Sequence, residues 1–265
     1  MWRTNNNNNA RSSQRRQRKS RILWIPLRHV RQWLISICLV ILVIVIMTAD
    51  MPATQTWTYW TTPLSGKIVA IDAGHGGADG GASSKQGVIE KDINLAIALQ
   101  LRDYLQQAGA VVVMTREGDY DLADKDTKGY AKRKAEDLNR RVQFISEKQA
   151  DLLISIHMNS IPSNRWSGAQ TFYAKSMPNN ELLAKFIQLE IRRNLENTER
   201  VAKSDDRNLY LLRMLKIPSA LVEVGFLSHP EESRQLADEQ YQLKVAASVY
   251  KGILRYMSGE SVGND

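Results

Sequence analysis

A chain of 265 residues, 43% apolar and 24% charged, has the make-up of a globular protein with one sizeable core and room for an appendage. Its formal net charge of +8 is lodged at one end: residues 1–32 hold nine Arg or Lys and no acidic residue, leaving 27 basic against 28 acidic over the rest. A nearly neutral globular part excludes the basic face of a nucleic-acid-binding domain. The single cysteine, Cys38, falls in the apolar run described next, so the remainder has neither a disulfide nor a thiol nucleophile.

Residues 33–49, from Trp33 through the uncharged apolar run to Ala49, are at the short end of what spans a bilayer as a helix. The basic head, 1–32, is expected to stay cytoplasmic, placing everything after Asp50 outside. Ala49 and Ala53 are small enough for a cleavage site, while the long run and long head favour a retained signal anchor; both readings stand. Residues 50–66, rich in Thr and Pro, read as a linker. The catalytic domain is expected over 67–257 and a tail over 258–265.

Within that domain, Lys67–Asp72 is a short apolar run stopped by Ala-Gly-His-Gly-Gly, a buried strand. Asp92–Gln107 places Ile93, Ile97, Leu101 and Leu105 on one helical face, stopped by Gly109. Val111–Thr115 predicts a second strand; Leu138, Val142 and Ile145 mark a second helix; Leu152–Ile156 is a third strand. Ala169–Ala174 predicts a fourth strand, Glu181–Leu195 a helix, Ala220–Val224 a fifth strand, and Leu236–Tyr256 one long closing helix. Strands alternating with helices predict an α/β domain: a mainly parallel twisted sheet of five to six strands with helices on both faces.

In such a sheet the carboxyl ends of neighbouring strands line one crevice. His75 ends the first strand in Asp72-Ala-Gly-His-Gly-Gly77, and His157 ends the third in Ser155-Ile-His-Met-Asn159, so both imidazoles are expected on that edge. Two imidazoles one strand apart suit Zn2+, with Glu90, just before the returning helix, as third ligand. Glu223 lies within the apolar strand Ala220-Leu-Val-Glu-Val-Gly-Phe226, where a carboxylate needs a reason; the functional one is a general base beside the metal. Arg116 and Asn159, on the same edge, are the candidate substrate contacts. Lys132-Arg133-Lys134 and Arg140-Arg141 read as solvated faces. No nucleophile elbow, P-loop or dinucleotide fingerprint is present.

At Asp72–Gly77, Glu90-Lys-Asp92, Ser155–Asn159 and Glu223-Val-Gly-Phe-Leu-Ser228 the chain resembles the zinc-dependent N-acetylmuramoyl-L-alanine amidases, the type-3 cell-wall amidases. Thr127–Tyr130, Arg133–Asp137, Ile161–Ser163, Trp166–Gln170 and Arg192–Thr198 are similar to the germination-specific subgroup of spore-forming bacteria. The resemblance implies one zinc ion per chain and peptidoglycan as substrate. The bond cut is the amide between muramic acid and the first L-alanine of the stem peptide, in the spore cortex and on the way to muramic δ-lactam. It also implies action outside the cytoplasm, in the forespore intermembrane space. With no second domain to grip the glycan, affinity must come from the catalytic domain or a partner. The long polar 116–138 connection is expected to line the groove or meet a protein activator. One departure stands out: His229 occupies a position where the family commonly has Asn, which puts a local turn contact in doubt.

Overall fold

The computed structural model describes residues 26–48, 63–205 and 209–261. The head up to residue 25, residues 49–62 of the expected boundary and linker, and the tail from 262 lie outside the described residues. Two compact units divide near residue 56. In the first, helix α1 (Leu27–Thr48) begins directly after Pro26, six residues before the expected span, because Leu27 and Val30 extend the apolar pattern. Its segment Leu27–Val45 has a mean hydropathy of 1.7 and none of it is buried, so it is long and apolar enough to cross a membrane.

The second unit is built on a six-stranded sheet. Its strands are β1 (Ile68–Ala73), β2 (Val111–Met114), β3 (Leu152–Asn159), β4 (Gln170–Tyr173), β5 (Lys203–Ser204) and β6 (Ser219–Phe226), in the order β2-β1-β3-β6-β4-β5. All pairings are parallel except β4 against β6, which is antiparallel. The helices are α2 (Glu90–Gln107), α3 (Tyr130–Glu147), α4 (Pro178–Leu195), α5 (Tyr210–Met214), α6 (Pro230–Leu236) and α7 (Glu239–Met257).

The period-2 alternation of the strands sorts side chains onto two unequal faces. Val69, Ile71, Ile154, Ile156, Val222 and Val224 face the larger core, completed by Ile97 and Leu101 of α2, Ile187 of α4 and Val249 of α7. Leu64, within the stretch read as linker, is fully buried in this core. The opposite face carries Ala70 and Leu153 and is covered more thinly, by Ile145 of α3 and by Leu211 and Leu212 of α5. Farther along the same thin face the strands turn polar: Asp72 follows Ala70 on β1, and Ser155 and His157 follow Leu153 on β3. There the sheet meets polar side chains of α3, Arg141 donating to Asp72 Oδ1 at 2.7 Å.

One expectation needs correction, and three further features were not read from the sequence. The closing helix is two, because Asp238 interrupts it and caps α7, its carboxylate accepting from Tyr241 N at 2.9 Å; the apolar spacing runs on across the break and hides it. The two-residue β5 and the one-turn α5 are too short to show any periodicity. α3 starts at Tyr130, well before its first core residue, since its first two turns face polar partners instead.

Where α7 crosses α4, Gly252 leaves no room for a side chain: a Cβ there would stand 2.5 Å from Ile187 Cα, a backbone atom that cannot swing aside. Gly252→Ala is expected to lower the unfolding free energy by about 1–2 kcal/mol, the overpacking outweighing the gain in helix propensity. Urea denaturation of the two proteins checks this.

Candidate metal centre

β1 ends at Ala73, and the chain then turns through three glycines around one histidine. His75 has φ of 62°, in the left-handed region that a residue with a Cβ occupies only under constraint. That turn swings the imidazole back over the end of the sheet. Gly74 is required by what lies beside it: a Cβ there would fall 2.3 Å from His157 Cε1, inside the ring's own contact distance. Gly81, with φ of 69°, plays the same part on the far side, where a Cβ would meet Glu90 Oε2 at 2.6 Å and His75 Cδ2 at 2.8 Å.

Glu90 is the first residue of α2, and its side chain is buried between the two imidazoles. Glu90 Oε1 lies 3.2 Å from His75 Nε2 and 3.2 Å from His157 Nδ1, and accepts from Met158 N at 3.0 Å. Glu90 Oε2 accepts from Ala82 N at 2.8 Å. One nitrogen of each imidazole and one Glu90 oxygen lie within 4.8 Å of one another, and the rings meet edge to face with centroids 5.0 Å apart.

The field at this cluster favours positive charge. Burial alone would depress the His75 imidazole, but the Asp79 and Glu90 carboxylates outweigh it and lift its pKa to about 9. Burial would likewise raise the Glu90 carboxyl, yet its contacts with His157 and His75 hold it well below the usual carboxylate range. Two imidazole nitrogens and a carboxylate oxygen this close together fit a divalent metal held by the same atoms.

Glu223 stands beside it. It is the register partner of His157 across β3 and β6, and both line a cavity of about 410 Å³ with Asp72, His75 and Asn159. Its Oε2 is buried and has no hydrogen-bond partner among the described residues. Burial pushes its carboxyl up to about 7, with His157 and His75 pulling down and Glu90 pushing up. Directly after this pair the register slips, Asn159 pairing with Phe226, so β6 carries one extra residue opposite Met158.

Residues 69–255 match the family model of N-acetylmuramoyl-L-alanine amidases. The chain belongs to the N-acetylmuramoyl-L-alanine amidase family. It is 50% identical over 232 residues to the germination-specific N-acetylmuramoyl-L-alanine amidase of Bacillus subtilis (strain 168), covering 88% of this chain and 97% of that one. The CwlD amidase of Clostridioides difficile, solved in complex with the GerS lipoprotein, is 41% identical with a TM-score of 0.71, covering 73% of this chain and 100% of that one. The amidase AmiC2 of Nostoc punctiforme is 31% identical with a TM-score of 0.62, over 72% and 98% of the two chains.

The amidase supports its cluster from below with charges that sequence reasoning placed in solvent. Arg141 is 2% exposed. Its guanidinium donates to Asp72 Oδ1 at 2.7 Å, Asp137 Oδ2 at 2.9 Å, Ala73 O at 3.0 Å and His75 O at 2.7 Å. It thereby holds the strained His75 backbone. Asp72 also accepts from Thr115 Oγ1 at 2.8 Å and Ser155 Oγ at 2.6 Å. Of the other charges read as solvated, Lys134 reaches Asp79 Oδ2 at 3.0 Å and Arg133 pairs with Asp121, while Arg140 does stay near the surface beside Glu136.

Arg116 does not reach the cavity. It is 1% exposed, and its donors go to the carbonyls of Ala73, Gly74, Lys91 and Gly118, so it braces the turn from within. The 116–138 connection packs on the His75 turn, with Asp119 Oδ1 accepting from Gly77 N at 2.9 Å. His229 takes over a capping role: it is the N-cap of α6, its Nδ1 accepting from Glu232 N at 3.2 Å, as a side-chain amide oxygen would.

The Asp72 carboxyl fixes a pH dependence. Burial opposes its ionisation, but Arg141, His157 and the Ser155 hydroxyl prevail, and the pKa falls from 3.8 to about 2. A folded-state pKa below the unfolded one contributes stability that is present above pH 4 and lost as pH falls toward 2. The contribution is about 2 kcal/mol. Unfolding free energies measured from pH 5 to pH 2 are expected to drop more steeply for the native protein than for Asp72→Asn, which is weaker at neutral pH.

Proposed function

We propose that this amidase uses zinc, held by His75, Glu90 and His157, to cleave the amide between N-acetylmuramic acid and the first L-alanine of the peptidoglycan stem peptide. The observation carrying this is a buried carboxylate, Glu223, whose Oε2 has no hydrogen-bond partner among the described residues, beside three converging metal-ligating atoms. Two imidazole nitrogens with one carboxylate oxygen are a zinc donor set that leaves a position open. Zinc in that place supplies polarisation of the lactyl carbonyl and a lowered pKa for the attacking water.

The chain's own groups do the rest. Glu223, on the neighbouring strand to His157, accepts the proton of the attacking water and returns it to the alanine nitrogen as the amide breaks. A carboxyl whose surroundings raise its proton affinity can do both. Asn159 hydrogen-bonds the substrate in this reading, which its position on the cavity lining supports. Leu138, Phe172 and Leu221 form an apolar wall that limits stray water. Arg116, 1% exposed and off the cavity lining, braces the His75 turn and is left out of substrate binding in this reading.

The relationship to the germination-specific enzyme of Bacillus subtilis supports cortex peptidoglycan as the substrate, with peptide removal as the step before δ-lactam formation. Helix α1 supports an extracytoplasmic domain tethered or exported through the membrane, and the likeness to the germination-specific enzyme supports the forespore intermembrane space as its compartment. The Clostridioides difficile amidase is held in its structure with a lipoprotein, which supports a protein partner here as well.

Glu223→Gln is expected to retain zinc at wild-type stoichiometry while losing about 10²–10⁴-fold in rate. Metal analysis and turnover on cortex peptidoglycan check it; wild-type turnover would remove Glu223 from the mechanism. Mass spectrometry of the wild-type digest should find stem peptides with a free N-terminal L-alanine. Cuts within the peptide would make the enzyme a peptidase.

A further inference from the structure

Among the described residues, Asp79 is the carboxylate that touches the cluster without being used by the ligand set or the proton transfer. Its Oδ2 lies 2.9 Å from His75 Nδ1, the ring nitrogen facing away from Glu90, and its side chain is only 14% exposed. The contact is an ion pair lying off the ideal hydrogen-bond direction. The local chain is shaped to make it: Gly76 N donates to Asp79 O at 2.9 Å and Asp79 N to Gly76 O at 3.1 Å, closing a tight loop directly after His75. The carboxylate is then fixed from three further directions. Gly81 N donates to Oδ1 at 3.1 Å, the Tyr130 hydroxyl to Oδ1 at 2.8 Å, and Lys134 Nζ lies 3.0 Å from Oδ2. Tyr130 and Lys134 both come from the first turns of α3, the turns with no core to pack against.

We propose that Asp79 is a positioning residue that holds His75 in the tautomer with its proton on Nδ1, so that the Nε2 lone pair is the one offered to the metal. This rests on the zinc reading of the cluster above. A neutral imidazole carries one N–H and one lone pair, and whichever nitrogen faces an acceptor-only group keeps the proton. Both nitrogens face a carboxylate, Asp79 at Nδ1 and Glu90 at Nε2, but Glu90 would itself be a metal ligand and so no longer an acceptor for an Nε2 proton, which leaves Asp79 as the proton's acceptor. His157 is turned the other way, with Nδ1 toward Glu90. The two histidines therefore offer the metal different nitrogens, and only a fixed tautomer at His75 makes both lone pairs converge. Asp79 stands behind the ring and outside the ligating group, and Lys134 and Tyr130 make α3 the element that keeps it there.

The test is zinc affinity of the full-length protein in detergent, by competition with a chromophoric chelator, for wild type, Asp79→Ala and Asp79→Asn. Metal-free thermal unfolding is followed in parallel. Asp79→Ala is expected to bind zinc about 10–100-fold more weakly. Asp79→Asn, which keeps a carbonyl oxygen for the Nδ1 proton, should recover part of that loss. In the zinc-loaded wild type, ¹⁵N-resolved imidazole spectra should show a slowly exchanging His75 Nδ1–H that is absent from Asp79→Ala. Unchanged affinity in Asp79→Ala overturns the proposal. So does a weakening equal in Ala and Asn with the Nδ1–H signal intact, since that would be loop packing alone. If Asp79→Ala does not fold, the affinity and Nδ1–H signal of Asp79→Asn decide alone: wild-type exchange at His75 with weakened binding overturns it. A wild type that binds no zinc would instead overturn the metal centre itself.

Discussion

Everything at the functional end of this amidase is arranged around one buried carboxylate. Glu90 sits between two imidazoles that belong to different strands, and its two oxygens also receive the backbone amides of Met158 and Ala82. Desolvating a charged carboxylate costs several kcal/mol, which only such a full set of donors offsets. The same set ties together the turn after β1, the start of α2 and the end of β3. Asn94, one turn along α2, bridges to the Gly74 carbonyl and closes the ring of contacts. Neither histidine could be held at its angle by its own strand alone.

A second charged layer underlies the first. Asp72, Arg141 and Asp137 are buried together beneath the His75 turn, with Thr115 and Ser155 filling the remaining acceptor sites. Removing one member of such a network leaves its partner charged and unpaired, so the layer is rigid by penalty as much as by attraction. Its position follows from the unequal sheet faces: the thin face alone has room, past the apolar residues, for polar side chains at the strand ends. The strain in the His75 backbone is thus carried by a guanidinium that reaches it from a helix well removed in sequence.

Much of this was legible in the chain because the strands are short, apolar and stopped by glycine, which fixes where their carboxyl ends lie. That placed His75, His157 and Glu223 on one edge, and the helix start placed Glu90 beside them. The supporting charges were not legible in the same way. On α3, Asp137, Arg141 and Ile145 recur every four residues on one face; the apolar residue at the end of that row is a sign that the other two are inward. Without knowing what faces the helix, a basic residue there looks like any solvated one. Arg116 misled for the opposite reason: its position at the end of β2 is on the functional edge, but four nearby carbonyls claim it. Asp79 carries no pattern at all, since only the folded turn brings it behind the ring.

The slipped register between β3 and β6 makes the segment from Glu223 to Phe226 an inflexible ruler. Two residues, Val224 and Gly225, answer one on the other strand, and the Glu232 carboxylate then clasps the amides of Phe226 and Gly168 just beyond. Shortening this stretch by a single position would turn the Glu223 carboxylate toward the opposite side of the sheet or unlatch that clasp. A change in length of this chain would have to fall in the outer connections instead, where nothing counts residues.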